Sequence, residues 1–141
     1  MVQALALDLG AETVLHPDDG VDAVRDACHG ELPRVVIECS GAAAAQRLAI
    51  DAVARRGTVA FVGNSYHETV IRVSQDLIFR GISLIGCWHY NTGSTGRLFE
   101  QIAAHPDLSR RLITHRFPLH AIGEAWTLQR GRDCGKVIIR P

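Results

Sequence analysis

The chain has 141 residues, with 15 basic and 15 acidic side chains, a net charge of zero, 47% apolar residues and 21% charged residues. That is enough for one ordinary domain with a packed core. It argues against a disordered chain, a basic nucleic-acid surface or an acidic tail. The longest apolar runs fall far short of a membrane span, and residues 1–15 show no basic stretch leading into a long apolar core, so no secretory signal is expected.

Taken in order, "MVQALALDL" (1–9) reads as a helix ending at Gly10, a glycine just past its C-terminus. "TVLH" (13–16) is expected to be a short strand. "PDDG" then turns the chain and loads acid onto a helix start, and Val21, Val24 and Cys28 recur on one face of a short amphipathic helix. "RVVIEC" (34–39) is a continuous apolar run, the mark of a buried parallel strand. The following helix places Leu48, Ala49, Ala52 and Val53 on one face. Arg47, Asp51 and Arg55 lie on the other, spaced to pair at the surface. Arg55 and Arg56 suit its C-terminal end, and Gly57 stops it. "TVAFVG" (58–63) is the next buried strand and "TVIRV" (69–73) a small one. Ser74 is placed to cap a helix over "QDLIFR", which stops at Gly81. "ISLIGC" (82–87) is another apolar strand.

After "WHYNTGSTG" (88–96), a polar glycine-rich link, a helix carries Leu98, Phe99, Ile102 and Ala103 on one face. "LITHRF" (112–117) is expected to be a strand. Ile122, Ala125, Trp126 and Gln129 follow at helical spacing, and "KVIIR" (136–140) closes the chain as a strand. Apolar strands alternating with helices predict an α/β fold with a parallel sheet.

The chemistry-bearing residues are sparse. Cys28, Cys39, Cys87 and Cys134 lie far apart with no C-x-x-C pair, so they read as free, buried thiols in a reducing cytoplasm and not as a zinc site. His16, His29, His67, His105 and His120 show no ligand spacing and read as surface or loop residues. Cys87 and His89 form a C-x-H, but two residues do not make a metal site. "RVVIECSG" (34–41), a strand that opens through Ser-Gly into a helix, is where a doubly wound sheet places a nucleotide. Yet the chain contains no G-x-G-x-x-G.

Six segments, "LGAETVLHP", "VVIECSG", "RRGTVAFVG", "DLIFRGISLIG", "LITHRFPLHAIGEAW" and "GKVIIRP", occur in one order at ordinary spacing. Together they resemble the C-terminal part of the medium-chain, zinc-dependent alcohol dehydrogenases. "LITHRFPL" with "GKVIIRP" places the chain nearest the polyol and threonine dehydrogenase branch. The resemblance covers essentially the whole sequence and implies NAD or NADP as coenzyme and zinc as metal in the full-length family, with coenzyme binding weak or absent in this chain. It also implies that the zinc ligands, the glycine-rich pyrophosphate loop and the ribose-reading residue precede Met1, so no catalytic residue and no metal ligand is assigned here.

By this resemblance the fold is a partial Rossmann-type, doubly wound parallel sheet lacking its first two strands, plus the C-terminal segment of the catalytic domain. The boundary falls between residues 1–88, coenzyme domain, and 89–141, catalytic domain. In the strand order 3-2-1-4-5-6, "TVLH" is strand three without a neighbour, and "RVVIEC" is strand four with an unpaired edge. Such edges favour association. A homodimer through strand 82–87 is also implied.

The resemblance carries the coenzyme to the strand ends. Cys39, Ser40 and Gly41 would flank the adenosine; Ser40 also reads as a plain helix N-cap. Val62, Gly63 and Asn64 would lie by the nicotinamide, or form only a glycine turn. Cys87, Trp88 and His89 would hold the carboxamide. Lys136 either reaches the pyrophosphate or is a solvated lysine. His115 in "LITHRF" is structural. The expected function is part of a hydride-transferring enzyme acting on an alcohol, inactive alone. A non-catalytic remnant, or a half-enzyme paired with a separately encoded N-terminal half, is the alternative, as is a chain binding neither coenzyme nor metal.

Overall fold

The computed structural model describes residues 2–131 and 133–141, so the expected helix start at Met1 lies outside the described residues. The chain divides into two compact units, residues 15–90 and the segments 1–14 with 91–141.

In the first unit, β1 (Val35–Glu38), β2 (Thr58–Phe61) and β3 (Ser83–Gly86) form a parallel sheet in that order. Helix α2 (Gly20–Ala27) precedes β1, and α3 (Ala43–Ala52) crosses from β1 to β2. Val36 lies opposite Val59, and Val59 opposite Leu84. Because side chains alternate along a strand, these three share a face with Phe61. That face meets Ala49, Ile50 and Val53 of α3 and its end, with Ile82 and Leu77 alongside. Ile50, Val53 and Val59 are wholly buried there. The opposite face is open: Val35 and Ile37 are each 63% exposed and Ile85 is 49% exposed.

Four expectations are corrected in this unit. First, residues 13–16 form no strand; among the described residues no edge pairs with them, and a strand needs a neighbour. Second, α3 ends at Ala52. Its last carbonyls are met by Arg80, whose guanidinium donates to Ile50 O at 2.8 Å, Asp51 O at 3.3 Å and Val53 O. Arg55 lies beyond the helix and donates instead to Phe79 O at 2.7 Å.

Third, residues 69–72 are irregular. Their polar groups are satisfied by side chains: Arg47 donates to Val70 O at 2.9 Å, and Arg72 N donates to Asp76 at 2.8 Å. Fourth, Val73–Ile78 is a π-helical turn with Arg72 at its N-cap, and Ser74 lies inside it. Asp76 organises this segment. It is 2% exposed and accepts from the guanidinium groups of Arg47 at 2.8 Å and Arg72 at 3.0 Å. The Arg72 backbone N–H, then Arg47, hold its carboxyl well below the ordinary carboxylate range. Arg47 also grips Asp51 at 2.6 and 2.9 Å, so the pair expected at the surface is the hub of a network anchoring 70–76 to α3.

In the second unit, α1 (Val2–Asp8) is followed by Gly10 at φ +105°, a left-handed conformation that favours glycine. Asp8 pairs with Arg111. The later segment forms α4 (Thr95–Ala104), α5 (Pro106–Arg111), β4 (Ile113–Pro118), α6 (Ile122–Gly131) and β5 (Lys136–Arg140). Strands β4 and β5 pair in parallel, with an irregularity at Thr114. The Thr114 hydroxyl accepts from Gly135 N there, at 2.9 Å. Leu98, Phe99 and Ile102 of α4 and Trp126 of α6 are exposed.

The cysteines are also corrected in part. All four are free, but only Cys134 is buried; Cys28 is half-buried, and Cys39 and Cys87 are exposed. The last two follow the C-terminal ends of β1 and β3, where the chain leaves the core.

Candidate functional site

The parallel register puts Glu38, Phe61 and Gly86 in one row across the sheet. The residues that follow them, 39–41, 62–64 and 87–89, therefore share the C-terminal rim, the end at which open α/β sheets bind ligands. Nine of the ten residues predicted for the coenzyme meet there. Lys136, the tenth, opens β5 in the other unit, exposed, its N–H donating to Leu112 O at 2.7 Å.

The first two rim turns touch backbone to backbone. Glu38 O accepts from Val62 N at 2.8 Å and Gly63 N at 3.0 Å. Gly41 has φ +73°, and a Cβ on it would meet Asn64 O at 2.8 Å. A Cβ on Gly63 would run into Gly41 N and lie 2.7 Å from the carbonyl carbons of Cys39 and Ser40. Both positions require glycine for this approach.

The turn is fastened by a residue that the sequence reading passed over. Glu38 is 5% exposed. Its carboxylate accepts from Ser40 N at 2.7 Å, Ser40 Oγ at 2.5 Å and Gly41 N at 2.9 and 3.1 Å. Its signal was a lone acid closing an apolar strand two residues before Ser-Gly. Ser40 is consequently not the cap of α3. Its hydroxyl donates to Glu38 and accepts from Ala42 N at 3.1 Å, while Ala42 holds the N-cap position without a side-chain bond.

The third rim segment is open. Cys87 N donates to Phe61 O at 2.8 Å and extends the ladder by one bond. Beyond it Trp88 and Tyr90 are exposed, His89 adopts φ 55°, and the Trp88 and His89 rings meet edge to face at 4.2 Å. A hollow of about 340 Å³ lies between this segment and the end of β2, lined by Phe61, Val62, Gly63, Asn64, Gly86, Cys87 and Trp88. Such a rim can hold a flat ligand through backbone groups. Glu38 has its oxygens committed to the turn. Elsewhere, His115 is half-buried in β4, bonded to Thr114 Oγ1 at 2.9 Å and stacked on Phe117.

Among the described residues, no group of three or more His, Cys, Asp or Glu is gathered to hold a metal ion. The zinc of the resembled enzymes therefore has no fitting ligand set among them, since a zinc centre needs three or four such donors.

Residues 2–104 match the zinc-binding dehydrogenase family. The chain is 30% identical over 142 residues to an L-threonine 3-dehydrogenase of Caldanaerobacter subterraneus, covering 97% of this chain and 41% of that protein. Its fold matches the crystal structure of an alcohol dehydrogenase from Thermotoga maritima with a TM-score of 0.83 at 26% identity, over 98% of this chain and 40% of that one. An Escherichia coli alcohol dehydrogenase crystallised with NADH matches with a TM-score of 0.82 at 17% identity, over 99% of this chain and 41% of that one. The chain thus spans about two fifths of the length of these relatives.

Proposed function

The chain belongs to the zinc-binding dehydrogenase family, and on that premise we propose that it forms the coenzyme-side part of an NAD(P)-dependent dehydrogenase of alcohols or polyols. The observation that carries this reading is the shared C-terminal rim of three parallel strands, with two turns locked together and a hollow beside them. Cys39, Ser40 and Gly41 would flank the adenosine. Val62, Gly63 and Asn64 would offer backbone groups beside the nicotinamide, and Cys87, Trp88 and His89 would hold its carboxamide. Lys136 would serve the pyrophosphate. The coenzyme, when bound, supplies the hydride acceptor or donor; these residues orient it.

In this reading residues 1–88 belong to the coenzyme domain and 89–141 to the catalytic domain, and two copies associate through β3, an outer strand with Ile85 half-exposed. A reducing, cytoplasmic setting suits the four free cysteines. No described helix is long and apolar enough to cross a membrane.

The unpaired edge of β1 favours a second reading, pairing with a separately encoded polypeptide. An apolar groove of about 580 Å³ runs along it, lined in part by Val24, Val36, Leu48 and Ala52. Calorimetric titration with NADH, together with an assay of alcohol-dependent NADH production, tests the first reading. Weak coenzyme binding without turnover by this chain alone is expected, and turnover by this chain alone would contradict it.

A further inference from the structure

We propose that Glu38 is a positioning and specificity-determining residue of the rim. Its carboxylate is an internal anion that fills the backbone donors of the 39–41 turn, so the turn admits an uncharged part of a ligand and turns phosphate away. This rests on the coenzyme reading only for the identity of that ligand.

The turn before a helix, with successive N–H groups converging, is the backbone arrangement that ordinarily draws phosphate or carboxylate. Here the N–H groups of Ser40 and Gly41 point at one side chain of the same chain, and the Ser40 hydroxyl joins them. Charge-assisted bonds of this kind are short and strong, and Glu38 is almost wholly withdrawn from solvent. A ligand phosphate would have to displace it and leave a buried carboxylate facing a second anion, which is unfavourable at this separation.

The same bonds set the geometry. With Glu38 in place, Gly41 is held against Asn64, and the β1 and β2 turns form one rigid ledge. Glu38 touches the ligand at no point in this proposal; it acts through Ser40 and Gly41. The converging donors of this strand-to-helix turn are thus held by the chain's own carboxylate and need no external anion.

The test uses the full chain and the amide resonances of Ser40 and Gly41. In the wild type, neither sodium formate nor inorganic phosphate should shift them saturably beyond a sodium chloride control of equal ionic strength. In Glu38→Ala, formate should return both resonances toward their wild-type positions. Phosphate should bind at the same amides at least about tenfold more tightly than in the wild type, the gain expected from vacated charge-assisted bonds. Should Glu38→Ala fail to fold, Glu38→Gln keeps the shape and removes the charge, and phosphate should then shift the two amides.

Wild-type amides that titrate with phosphate would overturn the proposal. So would a Glu38→Ala chain indifferent to formate, or a Gln variant indistinguishable from the wild type. A wild-type chain silent to NADH would remove the coenzyme reading and leave the formate and phosphate outcomes to decide the role of Glu38.

Discussion

The ends of β1 and β3 stand on the same rim and are built in opposite ways. After β1, the chain folds back on its own carboxylate and packs its backbone against the β2 turn, so almost every donor is used within the protein. After β3, the ladder gains one bond at Cys87 and the chain then leaves the sheet with its aromatic side chains in solvent. The contrast divides the proposed coenzyme rim into a closely packed shelf and an exposed lip. The shelf is a matter of stability and shape, whereas the lip contributes little to folding and is free to respond to a ligand.

Substitutions at the two ends should therefore separate cleanly. The largest effect is expected from Gly63→Ala. Its methyl group would overlap the backbone of 39–41, where neither chain segment can give way, so a loss of about 3 kcal/mol or more in urea unfolding is predicted. Glu38→Ala comes next. It strands the buried Gly41 N–H and the two part-buried donors of Ser40 and should lower stability by about 2–3 kcal/mol in the same measurement; an unchanged denaturation midpoint would mean that the turn is not fastened by this carboxylate.

A third effect concerns Asp76, which anchors residues 70–76 to α3 through Arg47 and Arg72. Because the folded chain depresses the Asp76 pKa through Arg72 and Arg47, the carboxylate stabilises the fold fully above the ordinary aspartate value of about 4, and this contribution fades as pH falls through the folded-state value. Asp76→Asn should remove that dependence. Its stability relative to the wild type should be lowest near neutral pH and approach parity in strong acid, as read by urea midpoints at several pH values. The smallest stability effect is expected on the lip: Trp88→Ala should change stability by no more than about 0.5 kcal/mol while weakening NADH binding. A large stability loss there would erase the distinction between shelf and lip.

Much of the fold was legible because buried parallel strands read as uninterrupted apolar runs. "RVVIEC", "TVAFVG" and "ISLIGC" each contain a strand of the sheet, and "LITHRF" and "KVIIR" overlap the pair in the second unit. What failed was whatever depends on a distant partner. "TVLH" and "TVIRV" have suitable residues but no edge to join. The end of α3 is decided by Arg80, and the segment after residue 69 by Arg47 and Asp76; neither contact leaves a periodic trace in the sequence. The rim residues were expected from the family resemblance, and the parallel register brings the ends of their three strands to one edge of the sheet. Glu38 was not expected, because an acid within an apolar strand announces nothing until its donors two and three residues ahead are seen to fold back on it.

The most direct test of the rim as a coenzyme site is an amide chemical-shift map of the full chain titrated with NADH. Weak, saturable shifts confined to 39–41, 62–64 and 87–89, largest on the lip, are predicted. Shifts that avoid these three segments, or tight binding by this chain alone, would contradict the account.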